Sequence, residues 1–105
     1  MRLDTHIAVL GFGVEGRALV AYFLAHGYVD ITVCDQNARV EGIPDGVACR
    51  LGDDYLSGLH EFDVVFRSPG ISVFRPELQE LMRGGAGRGD DGAYGRRTAV
   101  SSMMK

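Results

Sequence analysis

The chain has 105 residues, of which 46% are apolar and 24% charged, with a net charge of -3 and two cysteines. That is the size and composition of one globular domain, and its acidic balance gives no electrostatic footprint for nucleic acid or an anionic membrane. No apolar run approaches the ~20 residues needed to span a bilayer, and the first six residues lack the apolar core of a signal peptide. A cytoplasmic, monomeric domain is expected, with Cys34 and Cys49 as buried free thiols in apolar, strand-like runs.

Ile7 to Leu10 is a short, continuously apolar run, the pattern of a strand buried on both faces of a parallel sheet. Residues 14–26 predict a helix, with Leu19, Tyr22, Phe23 and His26 on its apolar face and Gly27 as its stop. Asp30 to Asp35 predicts a second strand. Residues 36–46 hold Asn37, Gly42, Pro44, Asp45 and Gly46 and predict a loop, and Val47 to Leu51 a weak third strand. Asp53 or Asp54 is expected to cap a short helix through Leu59. Phe62 to Phe66 predicts a fourth strand and Pro76 to Arg83 a second helix, with proline at its start and arginine at its end. Gly84 to Arg97 carries six glycines in 14 residues and almost no large apolar side chain, so a mobile loop is expected. Thr98 to Val100 predicts a fifth strand, with Ser101 and Ser102 capping a further helix. Alternating strands and helices imply an α/β fold: an open, parallel five-stranded sheet in the order 3-2-1-4-5, with helices on both faces.

The chemistry-bearing pattern is Gly11-Phe12-Gly13-Val14-Glu15-Gly16, placed between a strand and a helix. In that setting Gly11 permits the tight turn, Gly13 admits a phosphate to the backbone, and Gly16 lets the helix pack close to the sheet. The helix N-terminus then presents unpaired N–H groups to an anion. Asp35 ends the second strand 19 residues after Gly16, where dinucleotide folds carry the acid that binds a ribose diol. From these features alone NAD binding is the default expectation. The sequence has no G-x-x-x-x-G-K-[ST] loop, and neither a catalytic cluster nor a metal-ligating one is recognised in it.

A second motif narrows the choice. Asp63 to Phe66, then Arg67-Ser68-Pro69-Gly70-Ile71, then Arg75-Pro76-Glu77-Leu78 follow one another in order, and Val100-Ser101-Ser102 with Lys105 closes the chain. Together with the glycine turn and Asp35, this series resembles the N-terminal domain of the Mur ligase family, and within it the branch that adds D-glutamate. The resemblance covers nearly the whole chain except the glycine-rich insert. It implies a Rossmann-like domain, the N-terminal part of a larger enzyme, that binds the UDP part of UDP-N-acetylmuramoyl-L-alanine.

Carried over by position, Gly11, Gly13, Val14, Glu15 and Gly16 would meet the diphosphate, with Val14 and Glu15 donating through backbone N–H. Asp35, Gln36 and Asn37 would frame the uracil, and Ser68, Pro69 and Gly70 would close the site. Glu15 stands where the family more often has Ser or Thr, and Asn37 where it often has Arg. The implied enzyme uses ATP and Mg to convert the substrate carboxylate to an acyl phosphate, which the amine of D-glutamate attacks in peptidoglycan synthesis. The resemblance places those groups, and the catalytic ones, downstream of residue 105. No cofactor and no catalytic residue is therefore expected in this chain. The alternative reading is an NAD-type domain of a dehydrogenase or regulatory protein.

Overall fold

The computed structural model describes residues 2–68, 71–72, 74–83 and 99–102; for residues 82–83 and 99–102 it describes the backbone. The glycine-rich stretch 84–97, read above as a loop, lies outside the described residues, as do Pro69 and Gly70.

Ile7–Leu10 forms β1, buried at all four positions. It pairs in parallel with β2 (Ile31–Asp35) on one side and β4 (Val64–Arg67) on the other. β3 (Ala48–Leu51) extends the sheet beyond β2. The backbone of Ala99–Ser102, β5, runs parallel beside β4, which gives the order β3-β2-β1-β4-β5. The parallel α/β architecture matches the expectation. Its physical reason lies in β1, which feeds two cores at once. Ile7 and Val9 pack with Val20 and Phe23 of α1 (Val14–Ala25). Ala8 and Leu10 pack on the opposite face with Leu78 and Leu81 of α2 (Pro76–Arg83). Side chains alternate along a strand, so a strand covered on both faces has no polar position.

Helix α1 ends as the sequence predicts, at Gly27, whose φ of 91° continues the chain in the left-handed region. Gly27 N donates to the Leu24 carbonyl and Tyr28 N to the Phe23 carbonyl, the paired bonds of a Schellman motif. The rings of Phe23 and Tyr28, 5.1 Å apart, supply the apolar contact that accompanies it.

The apolar face of α1 differs from the expectation. Its buried residues are Gly16, Val20 and Phe23, while Tyr22 is 54% exposed and His26 is exposed. Gly16 is held against the turn that precedes the helix, which fixes the helix rotation. At about 100° per residue, Val20 and Phe23 fall within about 40° of Gly16 and Tyr22 falls roughly 120° away. Tyr22 and His26 stack on each other instead, 4.1 Å between centroids.

Two other expectations are corrected. The short helix capped by Asp53 or Asp54 is absent: residues 53–58 form turns that lead into one 3-10 turn, Leu59–Glu61. Gly58, with φ of 71°, interrupts any continuous helix there. Tyr55, Leu56 and Leu59 still cover the β1 face that a helix would have covered. β4 begins at Val64 rather than at Phe62, because Asp63 is tied to His6, the residue before β1. The Asp63 N–H donates to the His6 carbonyl at 2.8 Å, and its carboxylate accepts from His6 N at 3.0 Å. Ser101 and Ser102 lie within β5, and the helix expected after them falls outside the described residues.

Cys34 is fully buried in β2, whereas Cys49 is exposed because β3 is the outermost strand. Burial pushes the Cys34 thiol up to about 11, since the thiolate cannot be solvated there. At pH 8 about one Cys34 in a thousand is thiolate, the reactive form. A thiol-reactive disulfide reagent at pH 8 is therefore expected to modify one equivalent, Cys49, in the native protein. The second equivalent should appear only on addition of denaturant.

Candidate functional site

The order β3-β2-β1-β4 places the reversal of chain progression between β1 and β4. In open parallel sheets the crevice at that point, beyond the carboxyl ends of the strands, is where ligands bind. The two sequence motifs converge there. Gly11 follows β1 and Ser68 follows β4, and Ser68 N donates to the Leu10 carbonyl at 3.0 Å.

The contact between the two turns is close. Gly11 has φ of 95°, and a Cβ built on it would lie 2.9 Å from Ser68 Cβ and 3.6 Å from Ile71 Cδ1. Gly16 is tighter still, since a Cβ there would overlap the Gly11 carbonyl oxygen. Gly13 is the opposite case. A Cβ there would meet nothing within 4 Å, because the position faces open space. Two of the glycines are therefore required by packing, and the third leaves the surface open.

Gly13 is also the N-cap of α1, and no side chain caps the helix. The first helical bond runs from Arg17 N to the Gly13 carbonyl, so the N–H groups of Val14, Glu15 and Gly16 have no partner within the helix. Val14 is 81% exposed and Glu15 is exposed, while Gly16 is buried. The carboxylate of Glu15 in the first turn suits the helix dipole.

Asp35 is half-buried at the end of β2. One carboxylate oxygen accepts from Phe12 N at 2.9 Å and the other from Asn37 N at 2.9 Å. The residue thus ties the glycine turn to the turn after β2. Each oxygen keeps a further lone pair, so a ligand donor can still be accepted. Gln36 and Asn37 are exposed beside it.

The structure thus brings Gly11, Gly13, Val14, Glu15, Gly16, Asp35, Gln36, Asn37 and Ser68 to the carboxyl end of the sheet. Pro69 and Gly70 fall outside the described residues.

Three further residues shape this end without having been singled out from the sequence. The ring of Phe12 is buried under the guanidinium of Arg17, 4.5 Å from its centroid. Arg67, at the end of β4, donates from Nη1 to the Ile71 carbonyl at 2.8 Å and so ties Ile71 to the end of that strand. One signal was available for Arg17: a cation directly after the third glycine opposes the helix dipole and calls for a compensating contact. Nothing in the sequence pointed to Arg67. Among the described residues, no group of three or more His, Cys, Asp or Glu is placed to hold a metal ion.

A parallel α/β domain with a glycine turn and a second turn meeting at its switch point is the class that fold and site define. Within that class the match is specific. Residues 5–87 match the family described as Mur ligase MurD-like, N-terminal domain. The chain is 38% identical over 92 residues to the UDP-N-acetylmuramoylalanine--D-glutamate ligase of Ruminiclostridium cellulolyticum, covering 79% of this chain and 19% of that protein. It is 32% identical over 93 residues to the enzyme of the same name from Symbiobacterium thermophilum, covering 82% and 20%. A third, from Clostridium novyi, is 30% identical over 90 residues, covering 79% and 19%. The chain belongs to the MurD-like N-terminal domain family of the Mur ligases. It spans about a fifth of the length of the curated relatives it matches.

Two substitutions separate packing from ligand access. Gly16→Ala forces its methyl group into the Gly11 carbonyl and is expected to cost about 3 kcal/mol, the upper range for overpacking. Gly13→Ala meets open space and should change the urea midpoint little. Asp35→Asn turns one acceptor into a donor facing a backbone N–H, with an expected loss of about 2 kcal/mol. The amide resonances of Phe12 and Asn37 should move together in that variant.

Proposed function

We propose that this domain holds the UDP moiety of UDP-N-acetylmuramoyl-L-alanine for an ATP-dependent ligase that adds D-glutamate in peptidoglycan synthesis. The observation that carries the reading is the meeting of Gly11 with Ser68 and Ile71 at the switch point, in a chain of the MurD-like N-terminal family. The relatives' name states the substrate, UDP-N-acetylmuramoylalanine, and the amino acid that is joined to it.

In this reading the N–H groups of Val14 and Glu15 bind the diphosphate, and Gly13 leaves room for it. The approach of a phosphate to a helix N-terminus needs no side-chain cation. Glu15 contributes its N–H and turns its carboxylate to solvent. Asp35, Gln36 and Asn37 read the uracil, whose edge carries both donor and acceptor groups, and Ser68, Pro69 and Gly70 close the site beside Gly11. We read Ala99–Ser102 as the fifth strand that completes the sheet beside β4. Activation of the carboxylate by ATP and Mg belongs to the rest of the enzyme, because these 105 residues contain no phosphate loop. The parent protein is then a cytoplasmic enzyme acting as a monomer on a soluble UDP-linked precursor. Among the described residues no helix is long and apolar enough to cross a membrane.

Chemical-shift mapping of the labelled chain with UDP and with NAD tests the reading. Both ligands offer a diphosphate to the helix N-terminus, so the base must discriminate. UDP is expected to shift the amides of Gly13 to Gly16, Gln36 and Ser68 together. The dissociation constant should be on the order of 0.1–1 mM, equivalent to about 4–5.5 kcal/mol, for a domain that contributes part of a site. NAD shifting this set while UDP leaves Gln36 and Ser68 unmoved would replace the ligase reading with a dinucleotide one.

A further inference from the structure

The connection from Gln36 to Val47 joins β2 to β3 without regular structure. It begins with the residues that face the base in the reading above. Its start is tied down by the bond from Asn37 N to Asp35. Its apolar residues Val40, Ile43 and Val47 pack on the cluster that contains Phe12, Val20 and Phe23. Between these anchors lies Gly42, with φ of 84°. A Cβ built there would come 2.5 Å from Arg17 Nη1. The same guanidinium sits 4.5 Å over the Phe12 ring, and Phe12 N is the donor to Asp35. One planar cation thus lies between the middle residue of the glycine turn and the middle of the connection.

We propose that Arg17 is a positioning residue that clamps the 36–47 connection to the glycine turn, and so sets the distance between the base-facing and phosphate-facing halves of the site. The claim about ligand affinity rests on the UDP reading; the claim about the connection does not. Arg17 is in the first turn of α1, where a positive charge is opposed by the helix dipole. The face of Phe12 offsets that opposition, because a guanidinium over an aromatic ring is attracted to its negative face. Gly42, having no side chain, lets the backbone approach the exposed edge of the guanidinium. A lysine ammonium, compact and non-planar, cannot fill the same flat gap. The charge of Arg17 therefore matters less than its shape, which distinguishes a clamp from a simple contribution to the field at the phosphates.

Arg17→Met and Arg17→Lys in the 105-residue chain test this, with urea midpoints confirming that both variants fold. In the ligand-free protein, 15N relaxation should show order parameters of residues 39–47 falling from the rigid range near ~0.85 toward ~0.6 in both variants. UDP and inorganic pyrophosphate are then titrated separately. The Met and Lys variants are both expected to weaken UDP binding about three- to fivefold while pyrophosphate binding changes less than about twofold. Equal weakening of UDP and pyrophosphate in Arg17→Met, with full recovery in Arg17→Lys, would reduce Arg17 to a field effect and overturn the proposal. Unchanged order parameters would overturn it as well. If the unmutated chain fails to bind UDP, the functional reading falls, and the relaxation data still decide the clamp.

Discussion

The contact between Gly16 and the carbonyl oxygen of Gly11 sets the geometry from which the rest follows. A helix normally stands off a sheet by the thickness of its side chains. Here its first turn rests directly on the turn that leaves β1, because residue 16 has no Cβ to hold them apart. That approach fixes the rotation of α1 and selects Val20 and Phe23 as its buried residues. It also aims the unpaired N–H groups of the first turn at the end of the sheet. Packing and candidate binding surface are two results of one missing side chain.

Much of this was legible because it depends on short-range rules. A four-residue apolar run bounded by a glycine turn can only be a strand covered on both faces, and Ile7–Leu10 is one. Proline at a helix start and glycine past a helix end are local signals, and Pro76–Arg83 and Gly27 obey them. The errors share a different cause. Tyr22 and His26 have helical spacing, but the rotation of α1 is set by Gly16, which hydropathy does not register. Cys49 sits in a strand-like run, but its exposure depends on β3 being outermost, a property of strand order. The stretch 53–59 has the composition of a capped helix and lacks only a tolerance for Gly58 in the left-handed region.

The candidate site divides the same way. Gly11, Gly13, Gly16, Asp35 and Ser68 were found by pattern, and they converge as the pattern implies. What the pattern cannot give is the network joining them. Asp35 reads as a ligand-facing acid from its position, yet in the fold its two oxygens link Phe12 N and Asn37 N across 23 and 2 residues of sequence. The carboxylate organises two turns through these bonds. Arg67 likewise ties Ile71 to the end of β4 through the Ile71 carbonyl. Such side-chain to backbone ties depend on where the chain returns to itself, which neither residue type nor spacing encodes.

The central position of β1 bears on how the chain reaches this state. β1, the first of these strands in chain order, is flanked by β2 and β4, and the bond from His6 N to the Asp63 carboxylate spans 57 residues. β1 with α1 and β2 forms a local unit in which contacts are near in sequence. Its other edge, however, remains unpaired until the segment from Asp63 to Arg67 arrives. Closing a loop of that length must precede the contacts that reward it, so parallel sheets of this kind fold slowly relative to their size. Until then the strand offers its free edge to any other extended chain. The strand with the deepest burial in the native domain is thus the one with the longest exposure on the way to it.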